Sequence, residues 1–320
     1  MKIFIGVDEA GYGPNLGPLT IAASVWWASE RMSESDLTQR LKACFHCQPW
    51  KNGCNYLPLG DSKQLYQSTR GLINLEAGLL PLMWHTDQSA SDLQKLIEVA
   101  FTNFDSKQIA PPWYNGWEIV PVPCNLPKDE IIRLGRLAAS FEEEEQIGLS
   151  EISFSIVSEQ EFNLAVSRSN SKGIVLSERT LQLVASLVEK YSEHEIEVYC
   201  DRQGGRTNYL PLLLEAMSDV WFTEVISSPS RCTYKSSTDI NLTIHFSVGG
   251  DSFAPTALAS MCAKYVRERI MECFNRFWNQ HLPEIRPTAG YPVDAKRFRQ
   301  EIEQKAVELG LPLDSWWRSR

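Results

Sequence analysis

The chain has 320 residues, about two average domains of length and ample for a buried core. Hydrophobic residues make up 43% and charged residues 22% of it, a balance that excludes disordered, collagen-like and membrane-spanning classes. A formal net charge of −9 excludes nucleic-acid binding by bulk electrostatics, so any such binding requires a local basic patch.

The opening MKIFIGVDEA carries two carboxylates within ten residues, and no later run is apolar for the ~18 residues of a bilayer span. The expectation is a cytoplasmic chain, uncleaved, with no membrane partner. Its eight cysteines are too dilute for a disulfide scaffold and are expected to be thiols. Cys44, Cys47 and Cys54 with His46 offer zinc-type donors, but the second paired motif of a zinc site is missing. That stretch reads as a loop-rich surface segment.

In chain order, 2–8 and 17–27 are apolar runs that predict two buried strands around a glycine-rich turn. Ser35 precedes a helical pattern through Leu37, Leu41 and Cys44, and further helical patterns fall at 68–82 and 91–102. The stretch 104–127 is rich in proline, glycine and aromatics and reads as a loop; Pro127 then opens a helix over 128–146 that ends in four glutamates on a solvated face. A strand from 150, helices at 159–167 and 177–192 and a strand at 196–201 alternate as in an α/β domain. Three β-rich runs between 219 and 248 predict a hairpin or small antiparallel sheet, and long helices follow over 254–278 and 293–309.

Two apolar strands end in acid: Asp8 and Glu9 close the first, before AGYGPNLGP, and Asp201 closes the strand IEVYCD. In an open α/β sheet, ligands gather outside the carboxyl ends of strands, so the two ends are candidates to meet. Magnesium favours such oxygen ligands, supplemented by water and substrate phosphate. Neither a P-loop nor a Rossmann spacing is present in GYGPNLG.

With these residues in view, the chain resembles type 2 ribonuclease H (ribonuclease HII). GVDEAGYGPNLGPLTIAA (6–23), GDSKQL (60–65), the strand ending in Asp201, GGDSFAPTALASMCAKYVRE (249–268) and AGYP (289–292) occur in the family's order. The resemblance implies an α/β, ribonuclease H-like fold: a mixed central sheet flanked by helices, with a helical C-terminal region and an inserted β-rich segment. It implies a catalytic domain over 1–279, with insertions at about 104–150 and 219–247, and a helical extension over 280–320. It also implies an endonuclease dependent on Mg2+ or Mn2+ that cuts the RNA strand of RNA–DNA hybrids, or at ribonucleotides embedded in DNA, leaving 5′-phosphate and 3′-hydroxyl ends. A monomer is expected.

Carried over residue by residue, the catalytic and metal-binding acids fall on Asp8, Glu9, Asp201 and Glu268, the last standing where the family has aspartate. Substrate contacts fall on Gly11, Tyr12, Gly13, Lys63, Lys264 and Tyr291. Tyr12 replaces the arginine or lysine of the family's Gly-Arg-Gly or Gly-Lys-Gly triplet, so the backbone donors are retained while the cation is lost. Trp113, Tyr114 and Trp117 are candidates for base stacking or for packing. Lys296, Arg297, Arg299 and Lys305 are the candidate phosphate-contacting patch. Two rival readings are a nuclease of this fold with a shifted substrate and a non-catalytic nucleic-acid-binding protein; clustered acids speak against the second, since a binder of phosphates gains nothing from them.

Overall fold

The computed structural model describes residues 1–29, 32–66, 70–100 and 111–319. Its framework is one seven-stranded mixed sheet. The apolar runs at the start form β1 (Lys2–Ala10) and β2 (Leu19–Ala28), followed by α1 (Glu34–Leu41), the short pair β3 (Phe45–His46) and β4 (Leu57–Pro58), α2 (Ser62–Leu65), α3 (Ile73–His85), α4 (Leu93–Ala100) and α5 (Lys128–Glu145). Then come β5 (Ile147–Val157), α6 (Glu159–Ser169), α7 (Lys172–Lys190), β6 (Glu195–Asp201) and α8 (Leu210–Ala216). The chain continues through β7 (Phe222–Ser227), β8 (Arg231–Ser236), β9 (Leu242–Ser247), α9 (Ala254–His281) and α10 (Pro292–Glu308).

Across the sheet the strands run β5-β2-β1-β6-β9-β8-β7. β1, β6 and β9 are parallel neighbours, and the remaining pairings are antiparallel. The mixed α/β architecture expected from the sequence is therefore present. The three β-rich runs pair antiparallel as expected, β7 with β8 and β8 with β9, but they do not form a separate sheet: β9 also pairs in parallel with β6, from Ile196–Leu242 to Asp201–Ser247. β7 and β8 extend the sheet beyond it, and β7, on the edge, has five of its six residues exposed.

Side chains alternate across strands with period two, and the two faces build two cores. Phe4, Ala22 and Trp26 face α3, α5 and α9, whereas Ile3, Ile5, Val7 and Val25 face α6, α7 and α8. Among the described residues no helix is long and apolar enough to cross a membrane. α10 belongs to the first core rather than to a separate one: Ala295, Phe298, Ile302 and Ala306 are buried in it, and Phe298 meets Phe274 at 5.6 Å between ring centroids.

Of the loop expected over 104–127, residues 104–110 lie outside the described residues, as do the ends of two expected helices, 68–69 and 101–102. The remainder is a packed strap. Trp113 is buried against Phe274 and Phe277, and Tyr114 and Trp117 are buried beside it, so these aromatics pack the core and are not available to bases. The fully buried Glu76 fixes the strap's end, its carboxyl oxygens accepting from the N–H groups of Cys124, Asn125 and Leu126 and from the Tyr265 hydroxyl. A buried carboxylate is tolerated where each lone pair finds such a donor.

Local signals shift slightly. Ser33, not Ser35, caps α1 in a capping box with Asp36, and Pro127 is the cap of α5 instead of its first residue. The candidate zinc donors disperse, with Cys44 buried, Cys47 exposed and His46 stacked on Tyr56 at 4.9 Å.

β1 lies tightly against the start of α9. A Cβ placed on Gly6 would lie 2.1 Å from the Pro255 carbonyl carbon and 2.2 Å from the Thr256 nitrogen, both backbone atoms that cannot swing aside. Gly6→Ala is therefore expected to cost about 2 kcal/mol or more, as an overpacked site does, read as a lower denaturation midpoint at unchanged slope. An unchanged midpoint would show that the helix rides free of the strand.

Candidate active site

β1 and β6 run in parallel with Val7 opposite Cys200, so Asp8 and Asp201 leave the same end of adjacent strands. Asp8 shares its face of β1 with Phe4 and Gly6, the face covered by α9, and there its carboxyl takes a hydrogen bond from Ser260. Ser260 is itself paired with Ser62 at 3.0 Å. The Glu9 N–H donates to Asp8 Oδ1 at 2.8 Å. Asp201 Oδ1 accepts from the Gly250 N–H at 2.9 Å, which fixes the turn that follows β9.

That turn, Gly250–Ser252, is entered through Gly249 in the left-handed region (φ 67°), and it carries Asp251 to the same end of the sheet. Asp61 caps α2 close by, its carboxyl accepting from the Lys63 N–H at 2.9 Å. The electrostatics record the crowding. Burial lifts the Asp8 carboxyl to about 6 against the Ser260 hydrogen bond, and the charges of Asp201 and Asp251 add to the rise. Burial, then the charges of Asp8 and Asp201, lift Glu9 to about 8, with Lys63 opposing. Asp251 is also raised, first by burial and then by Asp61 and Asp201.

Carboxylates gathered until they resist ionisation need a compensating cation. The donors here are all oxygen, the set that Mg2+ and Mn2+ favour. Among the described residues, no three ligand-type side chains converge tightly enough to hold an ion as they stand. The fit thus lies in the chemistry and placement of Asp8, Glu9, Asp201 and Asp251. Beside Asp201 opens a cleft of about 700 Å³, lined by Arg202, Gly205, Thr207, Ser227 and Gly249 among others.

Glu268 stands elsewhere. It follows Ser260 by eight residues on α9, about 12 Å along the axis, and is engaged by Lys264 at 2.6 Å and Arg267 at 3.6 Å. The acid that the structure brings to this end of the sheet with Asp8, Glu9 and Asp201 is therefore Asp251, where the resemblance leads to the expectation of Glu268. The sequence did carry the signal: INLTIHFSVGGD is a third apolar run ending in acid, like those ending in Asp8 and Asp201. Lys264 lies over the Tyr66 ring at 4.5 Å and is occupied by Glu268. Tyr291, 49% exposed, lies over Arg267 at 5.8 Å. These groups form a second cluster, beside Gly11, where a Cβ would come within 2.6 Å of Arg267 Nε.

The glycine-rich loop begins directly after β1. Gly11 has φ 90°, and Gly13 is exposed with open space where a Cβ would be. Tyr12 is not isolated from positive charge. Lys172 Nζ is 5.4 Å from its ring centroid, and its phenol, raised by burial and by Glu9, is pulled back by Arg206 and Arg318. Positive charge beside Tyr12 thus comes from α7 and from the loop after β6.

The basic stretch on α10 is largely neutralised in place. Arg297 pairs with Asp294 and Glu301, Arg299 with Glu303, and Lys305 with Glu308. Three of the four cations thus stand in ion pairs on a solvent face.

No family model matches the chain, and no curated protein matches it. Among solved structures it is similar to the ribonuclease HII of Archaeoglobus fulgidus, solved as a complex with PCNA, at 15% identity and a TM-score of 0.44 over 99% of this chain and 94% of that one. It is similar to ribonuclease H2 from Pyrococcus horikoshii OT3 at 15% identity and a TM-score of 0.45, covering 96% and 89% of the two chains. It is also similar to Bst-RNase HIII in complex with Mn2+, at 13% identity and a TM-score of 0.36, over 86% of this chain and 55% of that one.

Proposed function

We propose that the chain is a divalent-metal-dependent endonuclease of the ribonuclease HII kind, acting on the RNA strand of RNA–DNA hybrids or at ribonucleotides embedded in duplex DNA. The observation that carries this reading is the convergence of Asp8, Glu9, Asp201 and Asp251 on one end of the sheet, with two of the carboxyls pushed far above their ordinary range. Such crowding opposes folding unless a cation offsets it. When bound, Mg2+ or Mn2+ would activate water and neutralise phosphate charge.

The chain's own residues account for the rest. Lys63, whose charge already acts on Glu9 and Asp251, is placed to meet a phosphate oxygen between them. Lys172 and Arg206 flank Tyr12 and supply local positive charge in an acidic protein. The exposed ring of Tyr291 offers a flat apolar surface to a sugar. The test is cleavage of a duplex with one embedded ribonucleotide, run beside a continuous hybrid and plain DNA with Mg2+, Mn2+ or chelator. Cleavage of plain DNA at the same rate would overturn the substrate reading, and no metal-dependent cleavage of any would overturn the reading as a whole.

Asp251→Asn is expected to lower cleavage by about a hundredfold or more, the scale on which losing one transition-state charge partner acts. Glu268→Gln is expected to lower it by less than about tenfold, because its carboxylate serves Lys264 and Arg267. Single-turnover rates of both variants decide, and the reverse order would return the fourth acid to α9.

A second expectation needs no turnover. The folded-state values of Asp8 and Glu9 lie above their unfolded ones, so without metal the stability they allow is greatest in acid. It is lost as pH rises from about 4 through 8. Mn2+ binds the ionised cluster and should restore that stability, by about 2.7 kcal/mol at a hundred times its Kd. The melting temperature is therefore expected to rise with Mn2+ at about pH 8 and hardly at about pH 5, with Asp8→Asn abolishing most of the rise. An equal rise at both pH values would place the ion elsewhere.

A further inference from the structure

Beneath the glycine loop lies a buried arginine that the cluster of acids does not explain. Arg318 is 1% exposed. Its guanidinium donates through Nη1 to the carbonyls of Gly11 and Gly17 and through Nη2 to that of Tyr12, the last at 3.1 Å. Its guanidinium carbon lies over the Phe162 ring, 4.0 Å from the centroid. The segment that carries it is latched to the same loop. Arg318 N–H donates to Asn15 O at 2.8 Å, Asn15 Nδ2 returns to Arg318 O at 3.3 Å, and Asn163 holds the Trp317 carbonyl at 2.8 Å and the Ser319 N–H at 2.7 Å.

A buried guanidinium costs several kcal/mol to desolvate, and an apolar side chain of similar volume would fill the space more cheaply. What this arginine adds is direction. Every acceptor of its head is a carbonyl of residues 11–17. The fully buried Glu159, whose carboxyl acts on Arg318, serves that loop too, with Oε1 accepting from the Gly17 N–H at 3.2 Å and Oε2 from the Tyr114 hydroxyl at 2.9 Å. A second buried arginine, Arg267, takes the Leu16 carbonyl at 3.1 Å.

The carbonyl and the following N–H of a trans peptide point in opposite directions. Pinning the Gly11 and Tyr12 carbonyls down on Arg318 therefore turns the N–H groups of Tyr12 and Gly13 away from it. Among the described residues neither N–H has an acceptor, and Gly13 is open to solvent. Two adjacent donors thus face outward within four residues of Glu9, where a hydroxyl or phosphate oxygen of a ligand at the carboxylates would lie.

We propose that Arg318 is a positioning residue that presets the Tyr12 and Gly13 N–H donors toward the substrate through the Gly11 and Tyr12 carbonyls. The inference rests on the nuclease reading. A lysine cannot reproduce the role, since its compact ammonium lacks the planar fork that spans two carbonyls at fixed angles.

Arg318→Ala should lower kcat about tenfold to a hundredfold, the scale of an ångström-sized misplacement, with a smaller change in KM. Millimolar guanidinium, far below denaturing levels, should restore several-fold activity to this variant, and sodium chloride at equal ionic strength should not. Arg318→Lys fills the space, is expected to fold, and should be impaired without responding to guanidinium. Wild-type kcat in the lysine variant, or loss in the alanine variant that guanidinium does not relieve, would overturn the inference while leaving the nuclease reading intact. An inactive wild type would overturn the reading and this inference with it.

Discussion

The structure turns on mutual repulsion held in place. Asp8 with Glu9, Asp201 and Asp251 come from three points of the chain that have no reason to approach except that the sheet brings them together. The parallel pairings of β1 with β6 and of β6 with β9 align three strand ends. Gly6 lets α9 press against β1 closely enough for Ser260 to reach Asp8, and the Gly250 N–H ties Asp201 to the turn bearing Asp251. Each device costs something locally, in a glycine, a left-handed turn or a recessed charge. Together they convert hydrophobic burial spread over two cores into a concentrated negative field at one end of the sheet.

The strands that lead to Asp8 and Asp201 were legible because a fully buried strand reads as a continuous apolar run, and an acid at its end stands out. Asp251 belongs to the same pattern, but the resemblance points along α9 to Glu268, and the run before Asp251 reads locally as one strand of a hairpin. The neighbour on its other side, β6, lies about forty residues earlier, and parallel pairing leaves no local mark. The α10 cations show the reverse case. Their partners stand three or four residues away, at Asp294, Glu301, Glu303 and Glu308, so the neutralised face was present in the spacing itself.

Other parts were not legible at all. Nothing in PPWYNGW separates rings that meet a base from rings that meet Phe274 and Trp278, because the partner lies on a helix more than 150 residues away. Arg318 sits in no periodic pattern, and its acceptors are main-chain carbonyls, which no side-chain motif reports. Tyr12 looked like a lost charge because a sequence names the residue at a position and not the cations that other elements deliver beside it.

The latch between Arg318 and the loop after β1 joins residues 307 positions apart. Contacts of such separation form only after the intervening chain has been ordered, since loop closure must be met before they contribute. The loop is thus completed only after the chain between it and Arg318 has been ordered. Until then Asp8 and Glu9 lack the strand, the helix and the arginine that hold their surroundings, and the acids stay apart until the sheet and α10 are in place.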